Sequence, residues 1–198
     1  MSAATVTIQE SELRWERSAR GRLGMYCLIA AEAAIFTIFV VAYLFYLGKS
    51  LSGPTPSQVL HVPILFSVCL LSSSLTIHLA VQSLRMGKIA AFASWWFLTL
   101  LLGATFLAGT IVEWHHLIYD EGLTIQTNLF GTTYYSLVGL HAFHVLVGLL
   151  AISAVWLFTM FGKVGRDHAE RVDTLALYWH FVDTVWVVVF LVVYVFGG

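Results

Sequence analysis

The chain is short of charge, proline and cysteine, and each shortage excludes something. Only 11% of its 198 residues are charged, against about 25% in a water-soluble domain, so a soluble globular fold is excluded. The net charge of −1 offers no basic footprint for nucleic acid. The prolines, Pro54, Pro56 and Pro63, all fall in one short stretch and interrupt no long apolar run. Cys27 and Cys69 lie inside apolar runs without a paired spacing, which argues against a cysteine-held cofactor. What the chain has instead is apolar bulk: 59% hydrophobic residues, 15% of all residues being aromatic.

That bulk is arranged in five runs of membrane-crossing length. They cover about residues 22–47, 64–84, 90–114, 130–161 and 175–196, where a bilayer requires roughly 20 residues; the first exceeds this and is expected to tilt or to emerge. Residues 1–21 carry Glu10, Glu12, Arg14, Glu16, Arg17 and Arg20 and no apolar core of signal-peptide length. They are predicted to form a polar N-terminal tail with one helical turn near Trp15. Loops are predicted at Lys49 to Pro63, at Arg85 to Lys88, at His115 to Asn128 and at Gly162 to Thr174. The fold class is therefore an all-α integral membrane protein, a five-transmembrane-helix bundle forming one domain over 22–198. With five crossings, Arg14, Arg17, Arg20, Arg22, Arg85, Lys88, Lys163, Arg166 and Arg171 share one side and Lys49 stands alone on the other. The positive-inside rule puts the N terminus inside and the C terminus outside.

Ionisable groups within the runs are costly and mark either helix-joining contacts or an ion route. Glu32 lies ten residues beyond Arg22, and Asp183 ten beyond Asp173, which places both about 15 Å from the inner surface at a helical rise. His180 precedes Asp183 by one helical turn, so the two share a face. His78 is expected slightly nearer the inner side, with Glu113, His115 and His116 in the outer half and His141 and His144 descending from the outer end of the fourth run. Glu32 reads either as a neutral carboxyl tying helices or as part of a lipid, water or proton path. His141 and His144, also one turn apart, permit a metal or haem site with a nearby carboxylate, but flanking Gly139 and Gly148 favour close helix packing. Ser67, Ser72, Ser73, Ser74 and Thr76 read as interhelical hydrogen bonding. Trp95, Trp96, Trp114 and Trp179 are predicted to be interface aromatics or lipid-facing bulk.

The segment Tyr178-Trp179-His180-Phe181-Val182-Asp183-x-x-Trp186, preceded one run earlier by Gly139-Leu140-His141-Ala142-Phe143-His144-Val145-x-x-Gly148, resembles subunit III of the haem-copper respiratory oxidases. Arg22-Leu23-Gly24 leading to Glu32, and Glu113-Trp114, extend the resemblance over about residues 22–197. The length is similar to that of the short five-helix bacterial members. Ala142 departs from the glycine that many members carry there.

The resemblance implies a subunit without haem, copper or other cofactor of its own, those centres being held by partner subunits. It implies packing against the catalytic subunit I and other oxidase subunits, and membership of a respiratory supercomplex, in the bacterial cytoplasmic membrane. Helices in two groups around a cleft that holds phospholipids, and support of proton uptake and enzyme lifetime, are further implications. Under this reading Glu32, His78, Glu113, His141, His144, His180 and Asp183 form an intramembrane polar network, and Arg22, Arg85, Arg166 and Arg171 contact lipid headgroups or the partner. A quinol oxidase subunit, an accessory subunit of a nitric oxide reductase, and an independent transporter or proton channel remain as alternatives. The last would be expected to show internal repeats or broken helices, and the sequence has neither.

Overall fold

The computed structural model describes residues 3–50, 53–60 and 62–197; Met1 and Ser2 of the expected tail, Leu51, Ser52 and His61 of the first loop, and Gly198 lie outside the described residues. Six α-helices follow one another: α1 (Ala3–Tyr46), the single turn α2 (Pro56–Val59), α3 (Ile64–Arg85), α4 (Ile89–Tyr119), α5 (Leu129–Met160) and α6 (Ala169–Phe190). A 3₁₀ turn, Arg166–His168, leads into α6, and a π-turn, Leu191–Val195, follows it. Among the described residues, five helical segments are long and apolar enough to cross a membrane.

The helices stop where backbone chemistry stops them. Gly87 and Gly162 adopt φ of 75° and 68°, the left-handed conformation that glycine takes without steric cost. At each, two reversed hydrogen bonds satisfy the last carbonyls: Gly87 N–H to Leu84 and Lys88 N–H to Ser83, then Gly162 N–H to Thr159 and Lys163 N–H to Phe158, the Schellman pattern. Asn128 caps the start of α5, its side chain accepting from the Gly131 N–H at 2.8 Å.

Three expected boundaries move. The helix of residues 3–46 is continuous, where a tail with one turn was predicted; the stretch holds no proline, and its first glycine is Gly21, so nothing halts propagation. The third span runs on through His115 and His116 to Tyr119, because a polar residue changes solvation without breaking a helix. Helical structure before the fifth span begins at Arg166, well ahead of Leu175.

Helices α3, α4, α5 and α6 close into a square in which each packs on the next, and α1 lies outside it against both α5 and α6. The segment that includes α6 is the most buried of the five spans and α1 the least. These contacts describe a group of four helices with a single helix packed against two of them. Loop ends on one side are tied by Asn128 Nδ2 donating to Pro54 O at 3.0 Å and Phe130 N–H to Ser50 Oγ at 3.1 Å. The opposite side gathers Arg22, Arg85 and Asp173. The alternation of sides agrees with five crossings.

Candidate functional site

Trp179 occupies the middle of the four-helix square. It is fully buried, and its indole N–H donates to Ser73 Oγ on α3 at 2.8 Å. The six-membered part of the ring lies against two glycines. A methyl group at Gly103 of α4 would sit 2.9 Å from Cζ2, and one at Gly148 of α5 would sit 2.7 Å from Cζ3. One side chain of α6 therefore sets the distance to three other helices. Trp186 repeats the device one level along, donating to Ser67 Oγ at 3.1 Å, and Trp96 donates to the Ile152 carbonyl at 2.9 Å. Trp96 and Trp179 are thus core residues, contrary to the interface role expected of them. Their N–H groups find acceptors inside the bundle, which removes the reason to sit at the headgroups. The hydrogen bonds expected of Ser67, Ser73 and Thr76 are present, the last to Thr99 on α4 at 2.7 Å.

Glu32 and His144 meet across the α1–α5 contact, Oε2 to Nε2 at 3.1 Å. Nδ1 of His144 lies 2.8 Å from the Leu140 carbonyl, which can only accept, so that nitrogen carries a proton. One further proton then lies between Glu32 and Nε2. On the carboxyl it leaves two neutral groups, and on the imidazole it makes an ion pair. Either way the pair has no net charge, which lowers the cost of a carboxylate at this depth. Phe36 of α1 covers the imidazole at 5.0 Å between ring centroids, and Tyr178 donates to the His144 carbonyl at 3.2 Å. The expected placement of His144 in the outer half gives way: it stands midway along α5, at the level of Glu32.

The remaining expected network residues do not form one network. His180 Nδ1 contacts Ser74 Oγ of α3 at 2.6 Å. Asp183, one turn further and 3% exposed, has no hydrogen bond to either carboxyl oxygen among the described residues. His141 is fully buried between Phe36, Phe106 and Trp186, stacked on the last at 5.0 Å, with both ring nitrogens unpartnered among the described residues. His78 is exposed and accepts from Gln82 of its own helix at 3.2 Å. Glu113 accepts from Tyr194 at 2.9 Å, with Tyr134 3.4 Å from the Tyr194 hydroxyl. The π-turn carries Tyr194 there, an irregularity that sequence periodicity does not register. His116 pairs with Asp120 at 2.7 Å on the exposed end of α4.

Among the expected headgroup contacts, Arg22 and Arg85 converge on Asp173 at 3.6 and 3.0 Å, and Arg22 also approaches Glu170 at 3.7 Å. The cluster joins α1, α6 and α3 at one end of the bundle. Arg166 and Arg171 are exposed. Between α3 and α6 runs a shallow apolar groove of about 210 Å³, lined by Ile64, Val68, Leu71, Val187, Phe190 and Leu191 together with Ser67 and Trp186.

His144 has both nitrogens engaged, His141 is closed in by aromatic rings, and Glu113 is turned to Tyr194; no group of three metal-binding side chains occurs among the described residues. Comparison with known proteins assigns the architecture. The model of the family described as cytochrome c oxidase subunit III matches residues 16–198. The chain belongs to that family. Its relatives include cytochrome c oxidase subunit 3 of Synechocystis sp., 39% identical over 86% of this chain and 73% of the relative. Cytochrome c oxidase subunit 3 of Alkalihalophilus pseudofirmus is 34% identical over 88% of this chain and 86% of the relative. Quinol oxidase subunit 3 of Bacillus subtilis is 29% identical over 88% and 86%. As a member of the family, the chain is a multi-pass membrane subunit III of the bacterial haem-copper oxidases and associates with other oxidase subunits.

Proposed function

We propose that the chain acts as the non-redox subunit III of a proton-pumping terminal oxidase in a bacterial cytoplasmic membrane, packed against the catalytic subunit I. It influences oxygen reduction through the surroundings that it gives this neighbour. Electrons pass through haem and copper in the partner subunits. The observation that carries this reading is where the buried polar groups point: Glu32 to His144, His180 to Ser74, Glu113 to Tyr194 and Trp179 to Ser73 each join two helices, and they do not converge on a common centre. Groups arranged in this way hold a bundle in shape. The nine-to-one distribution of Lys and Arg supports an N terminus inside, which puts the Arg22–Arg85–Asp173 cluster at the cytoplasmic surface. Arg166 and Arg171 on that side suit phosphate headgroups, and the apolar α3–α6 groove, toward the opposite end of the bundle, suits the acyl chain of a separate lipid. Lipid at either place would seal the subunit to its neighbour and support proton uptake and enzyme lifetime.

The reading is tested by tagging the chain and purifying it in mild detergent. A large haem- and copper-bearing polypeptide is expected to accompany it, and the haem absorption should remain with that partner when the two are separated. A haem band that stays with this chain, or purification without a haem-bearing partner, would overturn the proposal.

A further inference from the structure

We infer that the half of α3 nearer Arg85 docks, along Leu75, His78, Gln82 and Arg85, a membrane-spanning helix of the catalytic partner that brings His78 an aspartic or glutamic acid. The inference rests on the packing against subunit I already proposed and supplies the face and the chemistry of that contact. Spacings of three, four and three residues set these side chains in one line along the helix, and all four are exposed. His78 is seven residues from Arg85, which puts its imidazole about 10 Å inside the end of the span. Water does not reach that depth. Gln82 Nε2 stands 3.2 Å from His78 Nε2, and an amide nitrogen can only donate, so the neutral ring carries its proton on Nδ1. Nδ1 has no partner among the described residues.

Elsewhere in the spans such donors are satisfied within the chain. The exposed hydroxyls of Thr37, Thr105 and Thr184 turn back to carbonyls of their own helices at 2.7, 2.8 and 2.8 Å, and Nδ1 of His144 does the same to Leu140. Groups met in this way can face acyl chains. His78 makes no such bond, and an unmet N–H in hydrocarbon is costly, so its acceptor comes from outside the chain. Residues 64–88 hold no Asp or Glu. This edge therefore presents His78, Gln82, Arg85 and, just past the helix, Lys88 without an acid of its own, and Asp173 of α6 is already held by Arg22 and Arg85. An acidic side chain complements that row. A neighbouring helix can carry one to the level of His78, whereas a lipid phosphate stays with the arginines at the surface. Toward the other end of α3 the same line continues through Leu71, Val68 and Ile64, which border the apolar groove; an acyl chain there fills the space beside the docked helix.

Photo-crosslinking in the intact complex, isolated in mild detergent with a benzophenone side chain in place of Leu75, tests the contact. Irradiation is expected to join position 75 to a membrane-spanning segment of the haem-bearing polypeptide, and that segment should contain an Asp or Glu. His78→Leu should weaken retention of the subunit about three- to fifteenfold, the span for one hydrogen bond between membrane helices, and His78→Asn, whose amide nitrogen takes the place of Nδ1, should restore it. Replacing the acid of the contacted segment by leucine should weaken retention as much in the unaltered chain and no further in His78→Leu. Crosslinks to lipid alone while the haem-bearing polypeptide copurifies, or full retention of His78→Leu, would overturn the inference and leave the packing on subunit I standing. A complex without that polypeptide would overturn both.

Discussion

Substituting Gly148 by valine drives a side chain into the most constrained contact of the bundle. Its Cβ would lie 2.7 Å from Trp179 Cζ3 and 2.8 Å from Cε3, well inside van der Waals contact. The indole has no room to withdraw. On its far edge the backbone of Gly103 is so close that a Cβ there would sit 2.9 Å from Cζ2 and Cη2, and its N–H is held by Ser73. Relief therefore requires α5 to move away from α6, at a cost of about 3 kcal/mol, the upper part of the usual range for overpacking. Trp179→Phe alone should cost a similar amount, from the cavity and from the lost hydrogen bond. In the double variant the smaller ring accepts the valine, so the combined loss should fall short of the sum by about 1 kcal/mol or more. Equilibrium unfolding in detergent micelles, with retention of the subunit in the complex as a second readout, measures all three. Strict additivity, or a silent Gly148→Val, would refute the idea that one indole sets the spacing of the square.

Ser73→Ala leaves the Trp179 N–H buried without an acceptor and should cost about 1–2 kcal/mol, while Ser72→Ala on the exposed side should cost nothing measurable by the same unfolding assay. Asn128→Ala removes both the cap of α5 and the tie to Pro54; a loss of about 1 kcal/mol, read as faster proteolysis between Asp120 and Asn128, is expected. Arg85→Ala should change stability by less than about 1 kcal/mol, because the pair with Asp173 is half exposed and screened. That small effect should vanish at high salt, and a large salt-independent loss would contradict it.

The five spans were legible because the bilayer demands long apolar helices and the sequence supplies five. The serine-rich face of α3 was legible too, and so was the close approach at Gly148. What the sequence did not yield is which distant groups meet. Glu32 and His144 lie 112 positions apart, and Trp186 and Ser67 lie 119 apart; hydropathy gives depth but not rotation about the helix axis. A signal for the second pairing exists in retrospect. On α3, Ser67 and Ser74 are separated by two turns, and on the antiparallel α6 Trp186 and His180 are separated by nearly the same distance, which is the register their contacts require. Nothing comparable marks Tyr194, since a π-turn shifts its side chain off the regular helical face. The orphaned nitrogens of His141 could not have been foreseen either, because the aromatic rings that enclose it come from three other helices.

The claim at the centre of this account is that the hydrogen-bonded acid and imidazole groups within this subunit, Glu32 with His144, His180 with Ser74 and Glu113 with Tyr194, act by joining helices. Glu32 separates that claim from its rival most directly, because glutamine keeps the shape and an N–H able to donate to His144 Nε2 but cannot give up a proton. Subunit retention and the lifetime of the complex during turnover should be measured for Glu32→Gln and Glu32→Ala side by side. Glu32→Gln is expected to match the unaltered protein in both, and Glu32→Ala to loosen the α1–α5 contact by about 0.6–1.7 kcal/mol, the span for a hydrogen bond between membrane helices. A Glu32→Gln subunit that is fully retained yet shortens enzyme lifetime as much as Glu32→Ala would contradict the account.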